Sequence, residues 1–169
     1  MRATLFGLLL LGACAASAAP PAPPAAAPAE SLSLDANSWG KPLSAWTVER
    51  SGAGRYTFSR KVPGGRFRDY DLVTRSFRIK PADYSRVEAL LRPARAYAGR
   101  GLPCRPTISD MVYGHVRWSK SEEISYDLGC TSDEVRPIYE KLEEAENLVK
   151  RLSEAGSIVA TEQVREPHE

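Results

Sequence analysis

Asp69-Tyr70-Asp71 sets two carboxylates two residues apart, and an extended chain turns both to the same side. Together with Asp110 they are the residue types that acid–base hydrolysis or a divalent cation requires. Arg66 and Arg68 stand beside them, which points instead to a turn whose carboxylates are taken up in ion pairs. His115 offers an imidazole, but a general base needs a nucleophile within hydrogen-bond reach. Its spacing groups it with Met111, Tyr113 and Arg117, opposite the more apolar Val112, Val116 and Trp118, so a surface or rim position is expected. The other histidine, His168, is in the terminal residues. There is no Gly-x-Ser-x-Gly elbow, His-Glu-x-x-His pair, phosphate-cradling glycine loop or dinucleotide fingerprint. The sequence therefore assigns no catalytic residue, no metal ligand and no cofactor.

Cationic residues offer a different chemistry. The net charge of +2 conceals a polarity: residues 38–106 carry 15 Lys and Arg against 5 Asp and Glu, whereas residues 107–169 carry 7 against 14. Arg55, Arg60, Lys61, Arg66, Arg68, Arg75 and Arg78 fall on expected strands and the loop between them, and they form the candidate binding patch. Its partners would be an anionic surface, an acidic glycan or an envelope protein. Nucleic acid is not expected, because no recognisable binding module accompanies these residues.

Two segments outside the domain say where that chemistry is used. Arg2 precedes the apolar run Leu5–Leu11 and the small residues Ala16-Ser17-Ala18, the order of a secretory signal peptide, and the run is too short to span a bilayer. Leu11-Gly12-Ala13-Cys14 resembles a bacterial lipobox, which implies a lipid-modified Cys14 at the mature N-terminus and an outer-membrane anchor. Cleavage after Ala18 instead gives a soluble periplasmic or secreted protein. Residues 19–37 read as a Pro/Ala-rich tether, stiffened toward polyproline II. Of three cysteines, Cys14 is lipidated or removed, which leaves Cys104 and Cys130 to pair in an oxidising compartment. Closing a loop of that length stabilises by about 3 to 4 kcal/mol in the chain-entropy model.

The elements that must position these residues follow from periodicity. Trp46 and Val48, then Tyr56 and Phe58, then Val73, Phe77 and Ile79 alternate with polar residues as half-buried strands. Val87, Leu90, Leu91, Ala94 and Tyr97 recur at helical spacing after Pro81, with Pro93 ending or kinking that helix. Val112, Val116 and Trp118, then Ile124, Tyr126 and Leu128, form a hairpin between the two cysteines. Val135, Ile138, Leu142, Ala145, Val149 and Leu152 make the strongest helical stripe, with Thr131 or Asp133 expected as its cap, Pro137 in its first turn and Gly156 as its stop. The expected fold is α+β: an antiparallel sheet of about five strands in the order βββαββα, two helices on one face and one disulfide, all within residues 38–156. Residues 157–169 are expected as a tail.

The expected function is that of a non-enzymatic, exported cell-envelope binding module, lipid-anchored through Cys14. A secreted or periplasmic protease inhibitor is the alternative suggested by small size, export and a stapled loop. A small hydrolase is a third, and it requires Asp69, Asp71, Asp110 or His115 to converge.

Overall fold

The computed structural model describes residues 30–105 and 110–165. Seven strands, β1 (Ser31–Ser38), β2 (Lys41–Glu49), β3 (Ala53–Lys61), β4 (Tyr70–Arg78), β5 (Tyr113–Ser119), β6 (Glu122–Asp127) and β7 (Ser157–Val164), form one antiparallel sheet in the order β6-β5-β1-β2-β3-β4-β7. Helix α1 (Pro81–Arg95) follows β4 and α2 (Arg136–Ser153) follows β6. The fold is thus a mostly sheet α+β fold with two helices and one disulfide, Cys104–Cys130, whose Cα atoms are 5.9 Å apart.

One row of paired residues shows why the layers form. Ile124, Val116, Leu34, Trp46 and Tyr56 are successive register partners from β6 to β3, and all are buried. That row faces the stripes Tyr84, Val87, Leu91, Ala94 of α1 and Ile138, Leu142, Ala145, Val149 of α2, and together they make a single apolar core. The alternate residues, among them Ser33, Asp35, Thr47, Arg55, Thr57, His115 and Arg117, line the face that no helix covers.

Two strands lie outside the expected domain. Residues 31–37, expected as the end of the tether, form most of β1, which is paired on both sides and buries Leu32, Leu34 and Ala36. Its small polar residues alternate with apolar ones, so it has a strand's pattern with little bulk. Residues 157–164, expected within the tail, form β7, an edge strand held by backbone pairing with β4 while its side chains stay exposed. Among the described residues the strands number seven, against about five expected.

The helices also differ in detail. Helix α1 continues through Pro93 to Arg95, because Pro93 and Ala89 are both exposed and the carbonyl freed by the missing N–H faces water. At its start the Asp83 carboxylate accepts the Lys80 backbone N–H. Helix α2 begins after Val135 with no side-chain cap; Asp133 pairs with Arg136 instead, and Pro137 occupies the first turn as expected.

Candidate functional site

Asp71 and His115 are not brought together. Asp71 lies on β4 and His115 on β5, four strand steps apart, or about 19 Å at the usual interstrand spacing. Asp71 is consumed by two guanidiniums, Arg60 at 2.9 Å and Arg165 at 2.8 Å, whose hydrogen bonds hold its carboxyl below the ordinary aspartate range. Asp69 accepts the Arg66 backbone N–H at 2.9 Å, as the salt-bridged turn required. Asp110 is exposed in the approach to β5. His115 lies on the helix-free face, where its Nδ1 is 3.3 Å from Asp35, a carboxylate that also accepts Arg117 at 2.7 Å and Asn37 at 3.0 Å. Among the described residues no three His, Cys, Asp or Glu side chains are placed to hold a metal ion.

The seven cations of the candidate patch are divided. Arg55 and Arg78 lie on the helix-free face, and Arg75 points to the other, 5.3 Å from the Phe58 ring. Arg60, Lys61, Arg66 and Arg68 gather at one end of the sheet, around the loop from β3 to β4.

That end is where the surface chemistry concentrates. The β1–β2 connection is two residues, Trp39 and Gly40, with φ of 52° and 72°, the two positive values that a type I′ hairpin turn demands. Glycine takes such a value freely. Tryptophan does not, because its Cβ crowds the backbone there, and a bulky residue in that region is a true outlier. The residue is 67% exposed, so little packing inside the domain offsets the strain. Gly40 donates its N–H to the Tyr113 hydroxyl at 3.2 Å, which fixes the turn against β5.

Lys41 ties this turn to the β3–β4 loop. Its Nζ donates to the Phe67 carbonyl at 3.4 Å and sits 5.3 Å from the Phe67 ring and 4.7 Å from the Tyr70 ring. Phe67 itself is 60% exposed, between Arg66 and Arg68. A cavity of about 400 Å³ opens beside them, lined by Trp39, Gly40, Lys41, Arg68, Tyr70, Val164 and Arg165. Its charged lining is entirely cationic. Among the described residues neither Lys61 nor Arg68 has an ion-pair partner.

Sequence reasoning found four of these cations but missed Trp39, Lys41, Phe67 and Arg165. The available signal was local. Trp39-Gly40 is a two-residue break in an alternating pattern, and Arg66-Phe67-Arg68 puts an aromatic ring in a Gly-rich turn with no apolar neighbour in sequence. Arg165 had no such signal, because β7 had to be in place first.

Fold and site together define a small sheet-based domain with an open polar face at one side and a basic, aromatic-tipped end. Comparison with models of protein families, with curated proteins and with solved structures gave no match to the chain. No helix among the described residues is long and apolar enough to cross a membrane.

Proposed function

We infer that the chain is an exported binding module of the cell envelope, tethered through a lipidated Cys14 and the Pro/Ala-rich segment, and that it works by adhesion and not by turnover. The contact surface is the end that carries Trp39, Lys41, Phe67 and Arg68, and its partner is an anionic surface. The observation that supports this best is Trp39. An exposed tryptophan in a left-handed turn costs stability of about 1 to 2 kcal/mol and recovers little of it within the fold, and strain of that kind is retained where a partner uses the side chain.

Retention on washed envelope fragments tests the reading, with the parent chain compared with Trp39→Asn and Arg68→Glu. Both variants are expected to elute at lower salt than the parent. Equal retention of all three would remove the basic, aromatic end as the contact surface. Mass spectrometry of the membrane fraction tests the tether, where an acylated Cys14 is expected and a mature N-terminus at Ala19 would refute it.

A further inference from the structure

We propose that the basic, aromatic end inserts into a bilayer rich in anionic phospholipid, with Trp39 and Phe67 as the inserted side chains and the surrounding cations on lipid phosphates. The proposal rests on the reading above and names its partner. Three observations favour a bilayer over an acidic protein or a sugar polymer.

The first is where apolar surface is exposed. Of six large apolar side chains exposed among the described residues, Trp39, Phe67, Met111 and Tyr113 all belong to this end of the sheet. Trp39 and Phe67 project from two neighbouring connections bridged by Lys41, so they protrude together. Rings on projecting turns reach the level of lipid headgroups, where the amphipathic indole is most favourable.

The second is the polar chemistry between the rings. The cavity beside Trp39 offers Lys41, Arg68 and Arg165 and no carboxylate or carboxamide. Neutral sugar hydroxyls need acceptors as well as donors, whereas a phosphodiester needs only donors and positive charge. The Arg165 guanidinium is already partly engaged with Asp71, which leaves Lys41 and Arg68 as the phosphate contacts.

The third is charge density around the apolar tip. Lys41, Arg60, Lys61, Arg66, Arg68 and Arg165 surround the Trp39 and Phe67 turns, where Asp69 and Asp71 pair with three of them, and Asp110 and Asp127 lie toward β5 and β6 at the same end, so among the described residues Lys41, Lys61 and Arg68 carry the unpaired charge. Cations near an anionic leaflet each strengthen partitioning by about fivefold, and neither rings nor charge alone would hold so small a surface.

The test uses the mature chain beginning at Ala19, so that neither the apolar signal run nor an acyl chain contributes, and vesicles of phosphatidylcholine with or without phosphatidylglycerol. The chain has three tryptophans, and Trp46 and Trp118 are buried, so a change in emission on adding vesicles reports Trp39. A blue shift is expected with phosphatidylglycerol present, with quenching by brominated acyl chains, and no shift with inorganic phosphate alone. Paired substitution Trp39→Asn and Phe67→Ser should lower flotation with the vesicles by at least about tenfold, and Arg68→Ser by about fivefold. Asparagine suits the left-handed turn, so Trp39→Asn should unfold no earlier than the parent, which separates lost binding from lost folding.

Unchanged Trp39 emission with anionic vesicles, or equal flotation of parent and paired variant, would overturn the proposal. A shift with inorganic phosphate but none with vesicles would overturn it too. If vesicle binding fails while envelope retention still depends on Trp39 and Arg68, the bilayer is wrong and the contact surface stands; if retention is also indifferent to them, both fall.

Discussion

Glu146 holds two buried donors at once. Its Oε2 accepts the Trp46 indole N–H at 2.7 Å and its Oε1 the Tyr56 hydroxyl at 2.9 Å, and both rings are almost fully buried. A carboxylate is needed because one group must present two acceptors in divergent directions from the helix. Glu146→Ala would leave both donors orphaned, and each buried unsatisfied donor costs about 1 to 3 kcal/mol. We expect this variant to lose roughly 2 to 4 kcal/mol in urea unfolding, and Glu146→Gln, which keeps one acceptor, to lose less than half as much. Ionisable residues also set the pH range. Arg95 chelates Glu122 through two hydrogen bonds of 2.7 Å, chiefly through which its carboxyl is held below the ordinary glutamate range. A lowered folded value means stability that is present above the unfolded value of 4.5 and lost as pH falls below it. At the alkaline side, burial raises the Tyr126 and Tyr56 phenols, both further through Glu146, so their contribution is present below pH 10.0 and lost above it. Unfolding midpoints followed from neutral pH into acid should therefore fall below about pH 4.5, and Glu122→Gln should flatten that limb. A limb as steep in Glu122→Gln as in the parent would remove this pair as a cause.

At the scale of elements, β1 decides the architecture. It pairs with β2 on one side and β5 on the other, and so joins the N-terminal meander to the hairpin that follows α1. The joint depends on Gly114. That residue lies opposite Ala36, and the Tyr126 hydroxyl crosses it to donate to the Asp35 carbonyl at 2.9 Å. A Cβ at Gly114 would overlap the Asp35 carbonyl. Gly114→Ala should part β1 from β5, with loss of cooperative unfolding or of soluble protein, whereas Gly99→Ala, with open space around it but a φ of 74°, should cost only the roughly 1 to 2 kcal/mol of a left-handed alanine. Helix stripes and the bulky strands β2 to β6 were legible in the sequence, because Trp, Phe, Tyr and β-branched residues alternate there against polar ones. The strand β1 carries the same alternation in Leu32, Leu34 and Ala36, but a Pro/Ala-rich segment immediately before it draws the whole stretch into the tether. No pattern marks β7, since Ile158, Val159 and Thr161 are all exposed and only β4 fixes its place. The candidate site was legible as charge and not as geometry: its cations were visible in number, but the turns that expose Trp39 and Phe67 beside them are set by pairing among β1, β2, β3 and β4.

For the whole molecule, the two ends of the sheet differ in kind. Glu30, where the described chain begins, lies beside Arg50, and Ser31 pairs with Glu49, at the end opposite the Trp39 turn. Between those ends runs β1, eight residues or about 26 Å long. That strand also defines a path for tension. Were Trp39 gripped by a surface as proposed, a pull between that surface and residue 30 would enter and leave β1 at its own two ends. The strand is already extended to nearly the full reach of a peptide chain, so the load is carried by covalent backbone and almost none is passed to the neighbouring ladders. Stretched between residues 30 and 39 in a single-molecule instrument, the domain should show no unfolding step, whereas stretched between residues 30 and 165 it should rupture. If the domain adheres as proposed, it could be tugged for as long as its grip lasts without being pulled apart.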